Sequence, residues 1–224
     1  MSPLFLTMAH VPKNHVTAKK EIMARYTGPK NKKARRLGVD LGLKSNLKSL
    51  ERRLSTPPGV HGRKGTRKVS DYGVQLAEKQ KAKIMYGILE RQFKKYYVEA
   101  SRNPRSTGEV MLSLLERRLD NCIYRLGFTP TRAAARQLVS HGNVTVGGKK
   151  LNIPSYKVKL GDIISLSSTG ANIPYIKERL ADKDLGSAAW LDKKASLGKV
   201  TRLPVRSDII EAINEQLIVE FYSR

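Results

Sequence analysis

A surplus of cations limits what this chain can become more than any other feature. Its 43 Lys and Arg face 19 Asp and Glu, a net charge of +24 over 224 residues. Such a surplus repels itself in a compact state and calls for an acidic partner, either nucleic acid or an anionic membrane surface. The charge covers the whole chain but peaks early: residues 23–100 hold 20 basic and 6 acidic groups, whereas 101–224 hold 20 and 12. A basic tail on a neutral domain would look different. No apolar run approaches the roughly 18 residues of a spanning helix, so a membrane-spanning chain is excluded. Cys122 is the single cysteine, which rules out an internal disulfide or a multi-cysteine zinc site and fits a reducing compartment.

The length predicts one or two domains. Residues 1–22 read as an extension or a start assigned too early, with Met23 as the working initiator; Pro3 to Met8 is too short for a secretory signal. Residues 23–109 form a basic arm followed by a helical domain. In the arm, Lys30, Lys32, Lys33, Arg35 and Arg36 crowd together, and Arg52 and Arg53 follow. The stretch Pro57–Gly65 is too rich in turn formers for a regular element, and His61, Arg63, Lys64, Arg67 and Lys68 decorate it. So many cations without interleaved acids predict phosphate binding. The arm's low apolar content predicts little order without RNA.

Ser70 or Asp71 caps a predicted helix to about Ala100, with Met85, Leu89, Phe93 and Tyr97 on one apolar stripe. Lys79, Lys83, Arg91, Lys94 and Lys95 fall largely off it. Tyr96 and Tyr97 read as core rather than base-stacking groups. Residues 101–109 are a turn-rich linker and the expected domain boundary. Beyond it, Leu112, Leu115, Leu119, Cys122 and Leu126 step 3, 4, 3, 4, a strong amphipathic signal ended by Gly127.

Residues 110–168 read as a compact module. A short helix capped near Thr131 runs to Ser140 and places Arg132 and Arg136 one turn apart, with Gln137 and His141 continuing around the same side. Val144–Val146, the Gly147-Gly148 turn and Lys149-Lys150-Leu151 predict a hairpin presenting Lys149 at its tip. Strands at Lys157–Leu160 and Ile163–Leu166 complete the expected sheet. Residues 169–224 complete the fold, with Trp190 as a core anchor and a final helix for which Asp208 and Glu211 have capping-box spacing; Leu217, Val219 and Phe221 then alternate like a strand. The fold class is α+β. Arg132, Arg136 and Lys149 along one edge suit recognition of RNA by shape and backbone.

Several of these motifs resemble the S4 family of small-subunit ribosomal proteins. Glu116–Asn121, Tyr124–Phe128, Thr131-Arg132, Ala135–Val139, His141-Gly142 and Ile153–Tyr156 carry the likeness in the module. Outside it, Met23–Tyr26, Gly59–Gly62, Gln75–Lys81, Glu90–Phe93, Leu203–Arg206 and Ile218–Tyr222 are similar too, so the resemblance covers 23–224. It implies a structural protein that binds the 5′ domain of small-subunit rRNA, nucleates assembly and contributes to translational accuracy. It also implies contact with small-subunit ribosomal protein five and other neighbouring proteins, and a place near the path by which mRNA enters. A bacterial cytoplasmic ribosome is expected rather than an organellar one. By position, the RNA-facing residues would be the arm cations, the loop around His61, and Arg132, Arg136, Gln137 and His141. Val60, Asn143 and Gly147 stand where the family usually has Gln, His and Asn. Relatives that hold zinc do so through arm cysteines; residues 24–58 contain none, so no metal or cofactor is expected.

An RNA-modifying enzyme with an S4-like module is the main rival. Arg118-Leu119-Asp120 mimics part of a synthase signature, but no separate catalytic domain accompanies it, and Asp120 reads as pairing with its flanking arginines on a helix surface. His10, His15, His61 and His141 are scattered without ligand spacing. Catalysis is not expected.

Overall fold

The computed structural model describes residues 26–44, 48–64, 68–182 and 186–224. Residues 1–22, Met23 and Arg67, and the side chains of Arg63 and Lys64, lie outside the described residues. In chain order the arm supplies α1 (Lys30–Leu37), α2 (Lys48–Glu51) and a 3-10 turn at Val60–Lys64. The helical region follows with α3 (Asp71–Met85), α4 (Glu90–Ser101) and α5 (Thr107–Glu116). Next come α6 (Leu119–Arg125), α7 (Arg132–Ser140), β1 (Val144–Val146), β2 (Lys149–Lys150) and β3 (Ile163–Leu166). The chain ends with α8 (Ser168–Ala171), α9 (Pro174–Ala181), β4 (Leu191–Lys194), β5 (Leu197–Val200) and α10 (Glu215–Ser223).

The single helix expected over 71–100 is two. Gly87, at φ +64°, closes α3 with Ile88 N–H donating to Lys83 O and Gly87 N–H to Ile84 O, the paired bonds of a left-handed helix stop. The i+4 stripe therefore breaks after Met85: Leu89 is partly exposed, while Phe93, Tyr96 and Ala100 face inward from α4. The expected 112–126 helix is also broken. Its five stripe residues are fully buried, but α5 stops at Glu116 and α6 starts at Leu119. Segment 154–158 satisfies the opened backbone: Leu119 N–H donates to Tyr156 O, Asp120 N–H to Pro154 O, and Val158 N–H to Arg117 O. The strand expected at 157–160 is thus reduced to one bridge between Lys157 and Arg118.

Two apolar cores result. The first joins α3, α4 and α5 to Ile209, Ile213 and Ile218 of the C-terminal segment. Ala34, Leu41 and Leu50 plug the arm into it, so the arm carries more anchoring than its composition suggested. The second core lies between α6, α7 and the sheet, around Cys122, Leu126, Val139, Val144, Ile164 and Trp190. The change from one core to the other falls at Arg117–Arg118 rather than in the 101–109 linker, because Met111, Leu112 and Leu115 face the first core.

The antiparallel sheet has the order β2-β1-β3-β5-β4. Gly147 and Gly148 both take positive φ in the β1–β2 turn, which suits a two-residue hairpin loop and pairs Val146 with Lys149. Strands β4 and β5, not expected from sequence, extend the sheet beyond β3. Gly198 in β5 lets α6 sit close: an added Cβ would lie 2.4 Å from Leu126 Cδ1. Finally, α10 returns to pack on α3 and α5. It is capped by Asn214, whose Oδ1 accepts from Gln216 and Leu217 N–H, and it includes 217–221, where a strand was expected. Asp208 instead accepts from Val205 N–H in a separate 3-10 turn at Arg206–Asp208.

Gly198→Val should overpack the α6–sheet contact and lower stability by about 1–3 kcal/mol. A reduced urea midpoint at unchanged slope would register it.

Candidate nucleic-acid interface

The arm sorts its cations into those that build it and those that face outward. Arg35 holds α1 against the following loop: Nε donates to Arg53 O and Thr56 O, and Nη2 donates to Pro57 O. That guanidinium is an internal clamp rather than the free phosphate ligand expected. Lys30 donates from Nζ to Leu43 O at 3.3 Å, and Lys33 lies 5.0 Å from the Tyr26 ring centre. Lys32, Arg36, Arg52, Arg53, His61 and Lys68 are exposed. Because Arg35 ties α1 to residues 53–57, Arg36, Arg52 and Arg53 are carried on one clamped unit.

In the module, Thr131 Oγ1 accepts from Ala134 N–H and fixes the start of α7, as expected. Gln137 and His141 are exposed near the end of that helix, and Lys149 and Lys150 are exposed at the hairpin. Lys150 lies across the helix end, with its Cε 2.4 Å from the position of a Cβ on Gly142. Hairpin cations and the His141 end of α7 therefore share one surface, as a nonspecific grip on folded RNA backbone requires.

Arg132 and Arg136 do not form the exposed fork expected from their spacing; they are 9% and 8% exposed. Arg132 Nε donates to Asn121 Oδ1 at 2.8 Å and Nη2 pairs with Glu211. Its guanidinium also sits 4.9 Å from the Tyr86 ring centre and 4.6 Å from that of Tyr124. Arg136 Nη1 donates to Gly87 O at 3.0 Å. Both reach across to the first core instead of outward. With Lys30 and Lys33 they line one cleft of about 200 Å³ between α1, the α3–α4 elbow and α7. Arm and module cations thus converge there, but as partners of protein groups.

Their partners form a buried relay. Glu116, 1% exposed, accepts from Tyr86 Oη at 2.7 Å, Asn121 Nδ2 at 2.7 Å, and Arg125 Nε and Nη2. Arg125 Nη2 also pairs with Glu211, which in turn holds Arg132. Burial alone would raise the Glu211 carboxyl, but Arg132 and Arg125 outweigh it and bring it down to about 2. Asp120, expected at the helix surface, is 4% exposed and accepts two bonds from Arg118, 3.1 and 2.6 Å. Cys122 is fully buried, and burial beside Glu116 and Asp120 pushes its thiol up, so it is packing rather than a nucleophile. Sequence reasoning missed Glu116, Asn121, Arg125 and Glu211 as the groups that claim Arg132. The available signal was Glu116 itself, a carboxylate directly after Leu114-Leu115 in an apolar stripe.

Residues 25–116 match the Ribosomal protein S4/S9 N-terminal domain and residues 117–164 match the S4 domain. The two matches meet where α5 gives way to α6. Small ribosomal subunit protein uS4 of Akkermansia muciniphila is 52% identical over 209 residues, covering 90% of this chain and 100% of the relative. The proteins of that name from Herpetosiphon aurantiacus and Cutibacterium acnes are 52% and 51% identical, each again over 90% of this chain and 100% of its own length.

The chain belongs to the small ribosomal subunit protein uS4 family. Within this chain the relay Glu116–Arg125–Glu211–Arg132, not an arginine fork, connects the two family-matched regions.

Two outcomes separate structural from exposed cations here. Arg132→Ala should cost about 2–3 kcal/mol, since Glu211 keeps only Arg125 and Asn121 Oδ1 loses its donor, whereas Lys149→Ala at the exposed hairpin should change stability by less than about 0.5 kcal/mol. Urea unfolding of both variants checks this. Glu211 is depressed on folding, so its contribution is present above its ordinary value of 4.5 and is lost as the pH falls from there to about 2. Glu211→Gln should therefore melt lower than the parent at neutral pH, with the gap closing between pH 4.5 and 2 in thermal melts.

Proposed function

We propose that this chain is a structural protein of the small ribosomal subunit, not an enzyme, that holds ribosomal RNA through cationic surfaces mounted on two rigid cores. Family membership together with one observation carries the reading: the arm and the α7–hairpin end each keep a group of exposed cations after folding, while the relay carboxylates Glu116 and Glu211 are buried or largely so and already paired. The arm surface comprises Lys32, Arg36, Arg52, Arg53, His61 and Lys68. The module surface comprises Gln137, His141 and Lys149. Arg132 and Arg136 act on RNA only by fixing the angle between those surfaces. Such surfaces follow phosphates and groove shape, which is how structured RNA is held without reading its sequence.

In finer detail, the chain sits on the 5′ domain of the rRNA, where gripping several RNA helices at once favours early assembly. It lies beside small-subunit protein five and near the path of incoming mRNA, on a bacterial cytoplasmic ribosome. An angle fixed by a buried relay is what a part contributing to decoding accuracy needs, because a hinge there would blur the geometry of its neighbours. Among the described residues no helix is long and apolar enough to cross a membrane.

Competition binding at moderate salt tests the reading: the small-subunit transcript should displace the protein from unrelated RNA of equal length, and from duplex DNA and anionic vesicles, by at least about tenfold. Equal affinity for all would overturn it. Lys149→Ala should reduce the slope of log affinity against log salt by about one unit.

A further inference from the structure

The cations of α3 and α4 fall into two populations that their sequence does not distinguish. Lys79 and Lys83 turn inward to Glu90, at 2.8 and 2.9 Å, and Lys81 pairs with Glu78. Arg91, Lys94, Lys95 and Arg102 are all exposed, and none makes an ion pair or hydrogen bond with another described side chain. The two acids of α4 are already engaged: Glu90 by Lys79 and Lys83, Glu99 by Lys157. At about 100° per residue, Arg91, Lys95, Val98 and Arg102 fall within one narrow arc, directly opposite the buried Phe93, Tyr96 and Ala100. A shallow groove lies along them, lined by Lys94, Glu99 and these four residues.

We propose that this outward face of α4 is a second RNA-phosphate track, separate from the arm and from the hairpin. The inference rests on the rRNA-binding role proposed above and adds a surface to it. A step of four residues advances a helix about 6 Å, close to the separation of neighbouring phosphates on one RNA strand, so the Arg91–Lys95 step can meet consecutive phosphates. Val98 breaks the row without adding charge, and Arg102 resumes it one turn on. Charge complementarity selects this occupant: three cations lie in one arc, and the groove's one acid, Glu99, is already paired with Lys157, so they repel one another until a polyanion fills the groove. Because α4 is anchored by its opposite face in the first core, the track is rigid relative to α5 and α10. The protein would then hold one RNA segment on α4 while the hairpin holds another.

The test uses the full chain and its small-subunit transcript. The triple variant Arg91→Ala, Lys95→Ala, Arg102→Ala should keep the parental melting temperature, since all three side chains are solvent-facing. Its log affinity–log salt slope should fall by about two to three units, with at least a tenfold loss of affinity at moderate salt. Val98→Cys offers an independent readout: an iron chelate tethered there should cut the rRNA in one confined segment, with the buried Cys122 of the parent chain giving the background. If the parent binds the transcript specifically while the triple variant keeps both slope and affinity and the tether gives no confined cleavage, the α4 track is overturned and the general reading stands. If the triple variant binds RNA normally but loses an acidic protein of the small subunit, the face belongs to that protein and the proposal is likewise overturned. A parent that shows no preference for the transcript defeats the underlying reading instead.

Discussion

Glu116 and Glu211 are carboxylates set inside a strongly positive chain, and the relay they form with Arg125 and Arg132 ties two separate apolar cores together by directional bonds. It draws on α5, α6, α7 and the segment before α10, elements that belong to both cores. Compared with apolar packing of equal volume, such a buried network adds little net stability, but removing one member strands a charge. Its directional bonds therefore penalise any other angle between the cores. The remaining structure depends on that restriction: α7 can carry exposed groups at its C-terminal end because its inner face is pinned to Glu211 and Gly87.

Charge allocation follows from the same scarcity. With 19 acids for 43 cations, most cations must stay outside or find a carbonyl. Arg35 illustrates the second solution, gathering three backbone oxygens of the 53–57 loop, and Arg179 donates to Gly127 O in the module. The acids that sit within the cores are spent on arginines that cross between elements, so they cannot neutralise the outer surface. The positive field left on the arm, the hairpin and α4 is a consequence of folding as much as of composition.

Much of this was legible in the order of the amino acids. The stripe Leu112–Leu115–Leu119–Cys122–Leu126 is wholly buried, the cap at Thr131 and the Gly147-Gly148 hairpin stand where their chemistry puts them, and Trp190 is a core residue. Helix continuity was not legible, because a stripe that keeps its spacing through Gly87 or Arg117-Arg118 carries no sign of the break. At the second break the decisive partner, segment 154–158, comes from a distant stretch of chain. Strands β4 and β5 escaped for a related reason. Asp192, Lys193 and Lys194 give β4 a polar run without clear alternation, and what orders the two strands is the pairing of β5 with β3.

By itself the sequence determined that this chain is an α+β, polyanion-binding protein, because net charge, apolar period and turn chemistry need no partner to be read; its S4 type was legible only in the likeness of whole ordered motifs to that family. Only the tertiary structure decided which cations remain available. Whether an arginine faces water or a carboxylate depends on groups brought near it from distant positions, as Glu211 is brought to Arg132 across 79 residues, and spacing along one helix cannot contain that information.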